Sequence, residues 1–333
     1  MEFRRHWRRF WCCYLVGSII FLAIFLPIFF LVIIPAIAQR IVDNTKLLVY
    51  SASVLDPKPD TVTFTVDTSL DIPLAVKIRT DPLNLSLFNR DEKPMEPYFI
   101  AALSTFSLKG GTNMINLTQR DNKILSQHQF VKILATAVYQ DRFVISVKGS
   151  TVGHIGALKA SLALDKDVEL TGLDKFSGIS VPSAYLIPKQ DDGTNFKATA
   201  VLPNRSVFTI AMGNVTVNIQ SADLILGQAT AYDLVLKPGN NTVNVSGWID
   251  LGTVLENRSE FLSTQTKALE EGDIEISVTG NSTIYKGHHI GYYEEILNNL
   301  TLTTRVPFMN LLVDTIHGMM HFSSDSNWSS PSV

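Results

Sequence analysis

The sequence predicts a mainly β chain: two tandem antiparallel β-sandwich domains, each with a short helix, behind one N-terminal transmembrane helix. Three observations carry that expectation. Residues 15–38 form an uncharged apolar run. Period-two alternation of apolar and polar residues dominates the rest of the chain. Short matching stretches recur in the same order at offsets of about 130 residues.

The run "LVGSIIFLAIFLPIFFLVIIPAIA" at 15–38 is 24 residues long, and about 20 suffice to cross a bilayer as a helix. Before it, "MEFRRHWRRF" holds four Arg and one Glu. That cationic flank predicts a cytosolic tail at 1–14, with everything beyond a linker at 39–44 lumenal or extracellular. Ala36-Ile37-Ala38 also fits a signal-peptidase site, yet signal h-regions span only about 7–15 apolar residues. Length therefore favours an uncleaved single-pass anchor. Pro27 and Pro35 are expected to kink it. The tail's Arg pairs, with Trp7, Phe10 and Trp11, suit a segment resting on anionic lipid, or act purely as topology determinants.

Sequon and cysteine placement point the same way. Ten N-x-[ST] sites occur, at Asn84, Asn116, Asn204, Asn214, Asn240, Asn244, Asn257, Asn281, Asn299 and Asn327, all after the apolar run. Chance predicts about three for this Asn and Ser/Thr content, so the excess is that of a domain handled in the secretory pathway. A sequon in a buried strand cannot carry a sugar. Cys12 and Cys13, the two cysteines of the chain, sit at the cytosolic edge of the anchor. They suit S-palmitoylation and equally the plain apolar start of a helix. Beyond the anchor there is no cysteine, hence no disulfide and no thiolate metal site.

The repeat is clearest in "KGGTNMINLT" at 109–118 and "KPGNNTVNVS" at 237–246, which share K-x-G-x-N-x-[VI]-N-[VL]-[ST]. Around them "NLSL" at Asn84 pairs with "NVTV" at Asn214, Pro57-Lys58 with Pro188-Lys189, "ISVKG" at Ile145 with "ISVTG" at Ile276, and Phe130 with Phe261. The offsets define sandwich repeats at 45–172 and 173–308, with a C-terminal segment at 309–333, disordered from about 323.

Within each copy the strands are read from alternation. Val62, Phe64 and Val66 share one face of "TVTFTVD", as Val215, Val217 and Ile219 do in "VTVNI". In the shared signature Ile115, Leu117, Val243 and Val245 point inward, while Asn116 and Asn244 point to solvent. Phe130, Ile133, Leu134, Ala137 and Val138 recur with helical period. In the counterpart helix Phe261, Leu262, Ala268 and Leu269 share a face, and Gly272 stops it.

The stretch "LILGQATAYDLVLKPGNNTVNVSG" at 224–247, behind an anchored N-terminus, resembles the late-embryogenesis-abundant (LEA) type 2 fold as found in fungal single-pass membrane proteins of unknown function. Copy one matches more loosely, with Gly110 in place of Pro238. The plant motif Asn-Pro-Asn is absent. The resemblance implies immunoglobulin-like sandwiches, an endomembrane (vacuole-like) or cell-surface location, and no established catalysis. It supplies no catalytic residues.

Groups that could do chemistry are sparse. His317 and His321 have metal-ligand spacing, but Gly318 stands where a zinc protease needs Glu. His288-His289 reads as a solvated loop, Asp191-Asp192-Gly193 as a hairpin turn, and Glu270-Glu271-Gly272-Asp273 as a helix end. No nucleophile elbow, phosphate loop or basic nucleic-acid patch is present. The expectation is a non-enzymatic glycoprotein without metal, cofactor or nucleic acid, its sandwiches binding a partner protein, a lipid or a cell-wall component, or serving a structural role. The alternative is lipid binding or transfer beside the bilayer. A hydrolase with a dispersed site ranks last.

Overall fold

The computed structural model describes residues 2–72, 77–222 and 224–325, with side chains from 11 to 317. The chain begins as a helical rod. α1 (Glu2–Ile28) passes through a π-helical turn (Phe29–Ile33) into α2 (Ile34–Asn44). Pro35 has no N–H to offer the carbonyl four residues back, and its ring crowds that carbonyl. The turn widens accordingly, and the Ile34 N–H donates to Phe29 O instead. The stretch Trp11–Asn44, whose most apolar 18 residues have a mean hydropathy of 3.0, is the one described helix long and apolar enough to cross a membrane.

Beyond α2 the chain divides into two halves. The first contains β1 (Leu47–Leu55), β2 (Thr61–Ile72), β3 (Ile78–Thr80), β4 (Leu83–Phe88), β5 (Pro97–Leu103), β6 (Ser107–Leu108), β7 (Gly111–Lys123), α3 (Gln127–Tyr139), β8 (Arg142–Ile155) and β9 (Leu158–Thr171). The second contains β10 (Ser180–Leu186), β11 (Phe196–Asn204), β12 (Phe208–Ser221), β13 (Leu224–Leu236), β14 (Gly239–Ile249), α4 (Leu251–Glu256), α5 (Arg258–Glu270), β15 (Asp273–Tyr285), β16 (His288–His289), α6 (Gly291–Leu297), β17 (Thr301–Pro307) and α7 (Phe308–Asp325).

Strand pairing runs alike in both halves. β1-β2-β7 form one layer and β5-β4-β8-β9 the other, as β10-β11-β14 and β13-β12-β15-β17 do in the second half. The expected mainly β, tandem sandwich architecture is present. The halves are also joined: β1 pairs parallel with the start of β12, Ala52 opposite Phe208. One sheet of 11 strands therefore crosses the junction, and a sheet of 6 strands belongs to the first half.

The tight β8–β9 hairpin is matched in the second half by β15–β16, with Tyr285 opposite His288, but that return strand is only two residues long and α6 intervenes before β17 completes the pairing. α6 drives Tyr292, Tyr293 and Ile296 into the core of the first half, where Phe130 meets Tyr292 edge-on at 5.2 Å. Tyr139 Oη donates to Ile296 O at 2.7 Å. A sandwich end that would otherwise expose apolar side chains is closed by a helix from its neighbour.

Helix expectations need two corrections. In α5, Leu262 and Leu269 face solvent, 52% and 37% exposed. The inner positions are Gln265 and Ala268; the Gln265 carboxamide clamps Ser221 and both backbone groups of Glu275. A polar clamp stands where an apolar stripe is expected. The second correction is α7, in a segment for which the sequence reading assigns no helix. It lies along β10, where Ser183 Oγ donates to Asp314 and the Leu186 N–H donates to Thr315 Oγ1. It continues to Asp325, so the tail expected to be disordered falls mostly outside the described residues.

Candidate functional site

The turn chemistry shared by the halves is repeated atom for atom. Asn113 Oδ1 accepts from the Lys109 N–H, and its Nδ2 donates to the carbonyls of Lys109, Gly111 and Leu70. Asn241 does the same with Lys237, Gly239 and Leu202. Gly111 and Gly239 take φ of 86° and 96°, a region a side chain would disfavour. These lysines and asparagines are turn-builders in each sandwich.

The halves differ where the two layers meet. In the second, β13 and β14 form a ladder from Gly227–Ile249 to Ala231–Val245, closing the sandwich along that edge. Two glycines permit it. A Cβ on Gly227 would lie 2.0 Å from Trp248 O, and one on Gly247 would lie 1.9 Å from Gln228 O. By the repeat offsets, Pro97 and Gln119 occupy those places in the first half. Proline has no ladder donor, and the glutamine carries the side chain that the close approach forbids. β5 and β7 accordingly form no ladder. Side chains bridge the gap instead, Gln119 Nε2 to Ala102 O and Asn122 Nδ2 to Ile100 O.

Held apart along that edge, the layers of the first sandwich enclose a cavity of about 430 Å³. Its walls are aliphatic and aromatic, including Leu85, Ala101, Leu117 and Ile145, with a few hydroxyls such as Thr68 and Thr80. Among the described residues, its lining has no charged side chain. Part of the wall is the apolar N-terminal rod itself: Ile34, Ile37, Ala38, Ile41 and Val42 of α2. α2 is fixed there by Gln39, whose side chain accepts from the Ala163 N–H at 2.9 Å and donates to Ala163 O at 2.8 Å, as a strand neighbour would. Lys166 Nζ adds a bond to Asp43 O. An apolar void of this kind stays dry and admits apolar guests.

Two smaller cavities of about 160 Å³ each lie further along the chain. One is under α3 and α6, the other between the layers of the second sandwich. Tyr98 and Tyr293 line the first of these; burial pushes both phenols up, out of reach of ionisation. Neither hydroxyl has a hydrogen-bond partner, nor has that of Tyr292.

The expected modification sites scatter over the surface. Asn84, Asn116, Asn240, Asn244, Asn281 and Asn299 are exposed, and Asn214 and Asn257 are half-buried. Asn204 is 2% exposed; its side chain accepts from Ser206 and donates to Phe208 O, which excludes a sugar. Asn327 lies outside the described residues. Cys12 and Cys13 are exposed on α1. His288 and His289 are exposed, but they form the short strand β16 paired with β15 rather than the expected loop, with His289 Nδ1 2.7 Å from Glu294. His317 is exposed on α7, and the side chain of His321 lies outside the described residues. None of these lines the cavity of the first sandwich, whose walls are the inward positions of the repeated stretches: Leu85 and Leu87, Ile115 and Leu117, Ile145 and Val147. The legible signal is the pair of glycines present in one repeat and missing from the other.

Residues 96–219 match a family described as a protein of unknown function, DUF3712. The match covers less than half of the chain and crosses the junction between the sandwiches. No curated protein matches. Similar solved structures include a protein from Archaeoglobus fulgidus, 12% identical, with a TM-score of 0.25, covering 38% of this chain and 94% of that one. A putative late embryogenesis abundant protein is 14% identical, with a TM-score of 0.20, over 41% of this chain and 78% of that one. The YadV chaperone is 10% identical, with a TM-score of 0.19, over 78% and 99%.

Proposed function

We propose that this chain is a non-enzymatic, membrane-anchored lipid-binding protein, whose first sandwich takes the acyl chain of a bilayer lipid between its layers. The observation that carries the reading is the shared wall: the C-terminal end of the anchor helix, from Ile34 to Val42, is one side of an uncharged cavity of about 430 Å³. Each methylene moved from water into such a site contributes about 0.8 kcal/mol, so an acyl chain is a guest the cavity can hold by burial alone. The short tether keeps the mouth at the membrane surface. In this reading the sandwiches lie on the lumenal or extracellular side of a vacuole-like endomembrane and carry sugars at the exposed sequons.

The test is native mass spectrometry of the full chain, released from detergent, together with competition against a fluorescent fatty acid. Co-purified lipid and saturable displacement are expected. Ile145→Trp and Leu117→Trp, which fill the cavity from opposite layers, should each abolish both. Lipid-free protein that also fails to bind the fatty acid would sink the reading.

A further inference from the structure

The three cavities share walls in sequence along the molecule. Ala52, Phe64, Val66, Leu87, Ile145 and Phe208 line both the large cavity and the one beneath α3 and α6. Phe176, Met212, Leu236 and Leu297 line both that middle cavity and the one inside the second sandwich. β8 and β9, which flank the large cavity, are 14 residues each, about 46 Å at about 3.3 Å per residue. That is roughly three times the half-thickness of a hydrocarbon core of about 30 Å. A single acyl chain entering beside α2 therefore has apolar strand faces to run along, and the shared walls place further apolar space beyond the first cavity.

Phe176 is built into the boundary in an unusual way. Asp174, Lys175 and Phe176 have φ of 48°, 52° and 55°, three successive non-glycine residues in the left-handed region. Side chains disfavour that region, so such a run persists only where its surroundings enforce it. The enforcement is visible. Gly172 passes so close to the end of α3 that a Cβ would lie 2.1 Å from Gln140 O. The Leu173 N–H donates to Ala137 O and the Asp174 N–H to Gln140 O, while the Phe176 N–H returns to Leu173 O. The result is a buried aromatic ring, 4% exposed, set between two cavities at the junction of the sandwiches.

We infer that the cavities form one apolar conduit for lipid acyl chains, running from the membrane anchor into the second sandwich, with Phe176 as the residue that limits passage between the two. The inference rests on the lipid-binding reading of the first sandwich and extends it. The second sandwich is a second acyl-chain site, filled through the first. The occupant is set by the walls: a conduit that starts at a transmembrane helix and presents almost no polar surface accepts what the bilayer core holds.

The experiment uses the full chain in detergent, a palmitic acid probe with a terminal diazirine, and peptide mapping of the photolabelled positions. Wild type should be labelled on the inner walls of both sandwiches, around Ile145 and around Val243. Phe176→Trp should remove the second set and spare the first, whose persistence also reports that the variant has folded. Met212→Trp, which narrows the same boundary from β12, should repeat that loss, and Phe176→Ala should raise labelling of the second sandwich. Labelling of the second sandwich that is indifferent to all three variants would overturn the conduit, since the site would then fill independently. Absence of second-sandwich labelling from wild type and Phe176→Ala alike would overturn it too, leaving lipid binding in the first sandwich intact. No labelling inside the first sandwich would remove both readings.

Discussion

Asn113 and Asn241 show how a single side chain can define a turn. Each accepts one backbone N–H and donates to three carbonyls, so replacing either by Ala strands several groups of its turn at once. We expect Asn113→Ala and Asn241→Ala each to lower stability by about 1–2 kcal/mol, read as a fall in the chemical-denaturation midpoint. The buried tyrosines predict the reverse. Tyr98 and Tyr293 hold hydroxyls with no partner, and removing a buried unsatisfied group relieves a desolvation cost. Tyr98→Phe and Tyr293→Phe should leave stability unchanged or raise it by up to about 1 kcal/mol, read from the thermal midpoint. Sequon use should divide along the same line of burial. Asn244→Gln should lose one glycan by mass, whereas Asn204→Gln should lose none.

A strand pairing that exists in one half and fails in the other controls how open each sandwich is. Gly227 and Gly247 allow β13 and β14 to meet, and Pro97 and Gln119 keep β5 and β7 apart. Gly247→Gln should therefore break the second ladder at a cost of about 1–3 kcal/mol. It should also raise binding of a fluorescent fatty acid by enlarging the second cavity. Loss of stability with no change in binding would detach cavity size from this edge. The N-terminal rod makes a comparable point. Gln39 acts as a strand neighbour for Ala163, so Gln39→Ala should free α2 from β9 and speed amide exchange across residues 39–45.

At the scale of the whole molecule, the halves are held by the β1–β12 ladder, by α6 and by an ion pair. Lys286 Nζ lies 2.6 Å from Asp56, whose carboxyl it holds below the usual carboxylate range by a hydrogen bond. A folded-state value below the unfolded one, about 3.9, means the contribution is fully present above that pH. It is lost as pH falls through the lower folded value. The stability deficit of Lys286→Gln, present at neutral pH, should thus fade below about pH 4. Both partners are near the surface, so salt should shrink it as well.

The sequence by itself determined the elements and their repetition. Alternation marks strands because one face is buried, an uncharged run marks a long apolar helix because nothing in it interrupts the helical backbone ladder for long, and the K-x-G-x-N signature marks two turns because its Asn and Gly each have one structural use. It also contained the difference that opens the first sandwich, in Pro97 and Gln119, although that difference acquires meaning only once β5 and β7 are known to be neighbours. The tertiary structure alone decided the rest. α6 caps a core that its own half does not contain, α2 serves as the wall of a cavity, and Phe176 stands between two voids. The physical reason is that a void is a property of surfaces that fail to meet. No local pattern records that failure, because every residue around the cavity is as apolar as it would be in a filled core.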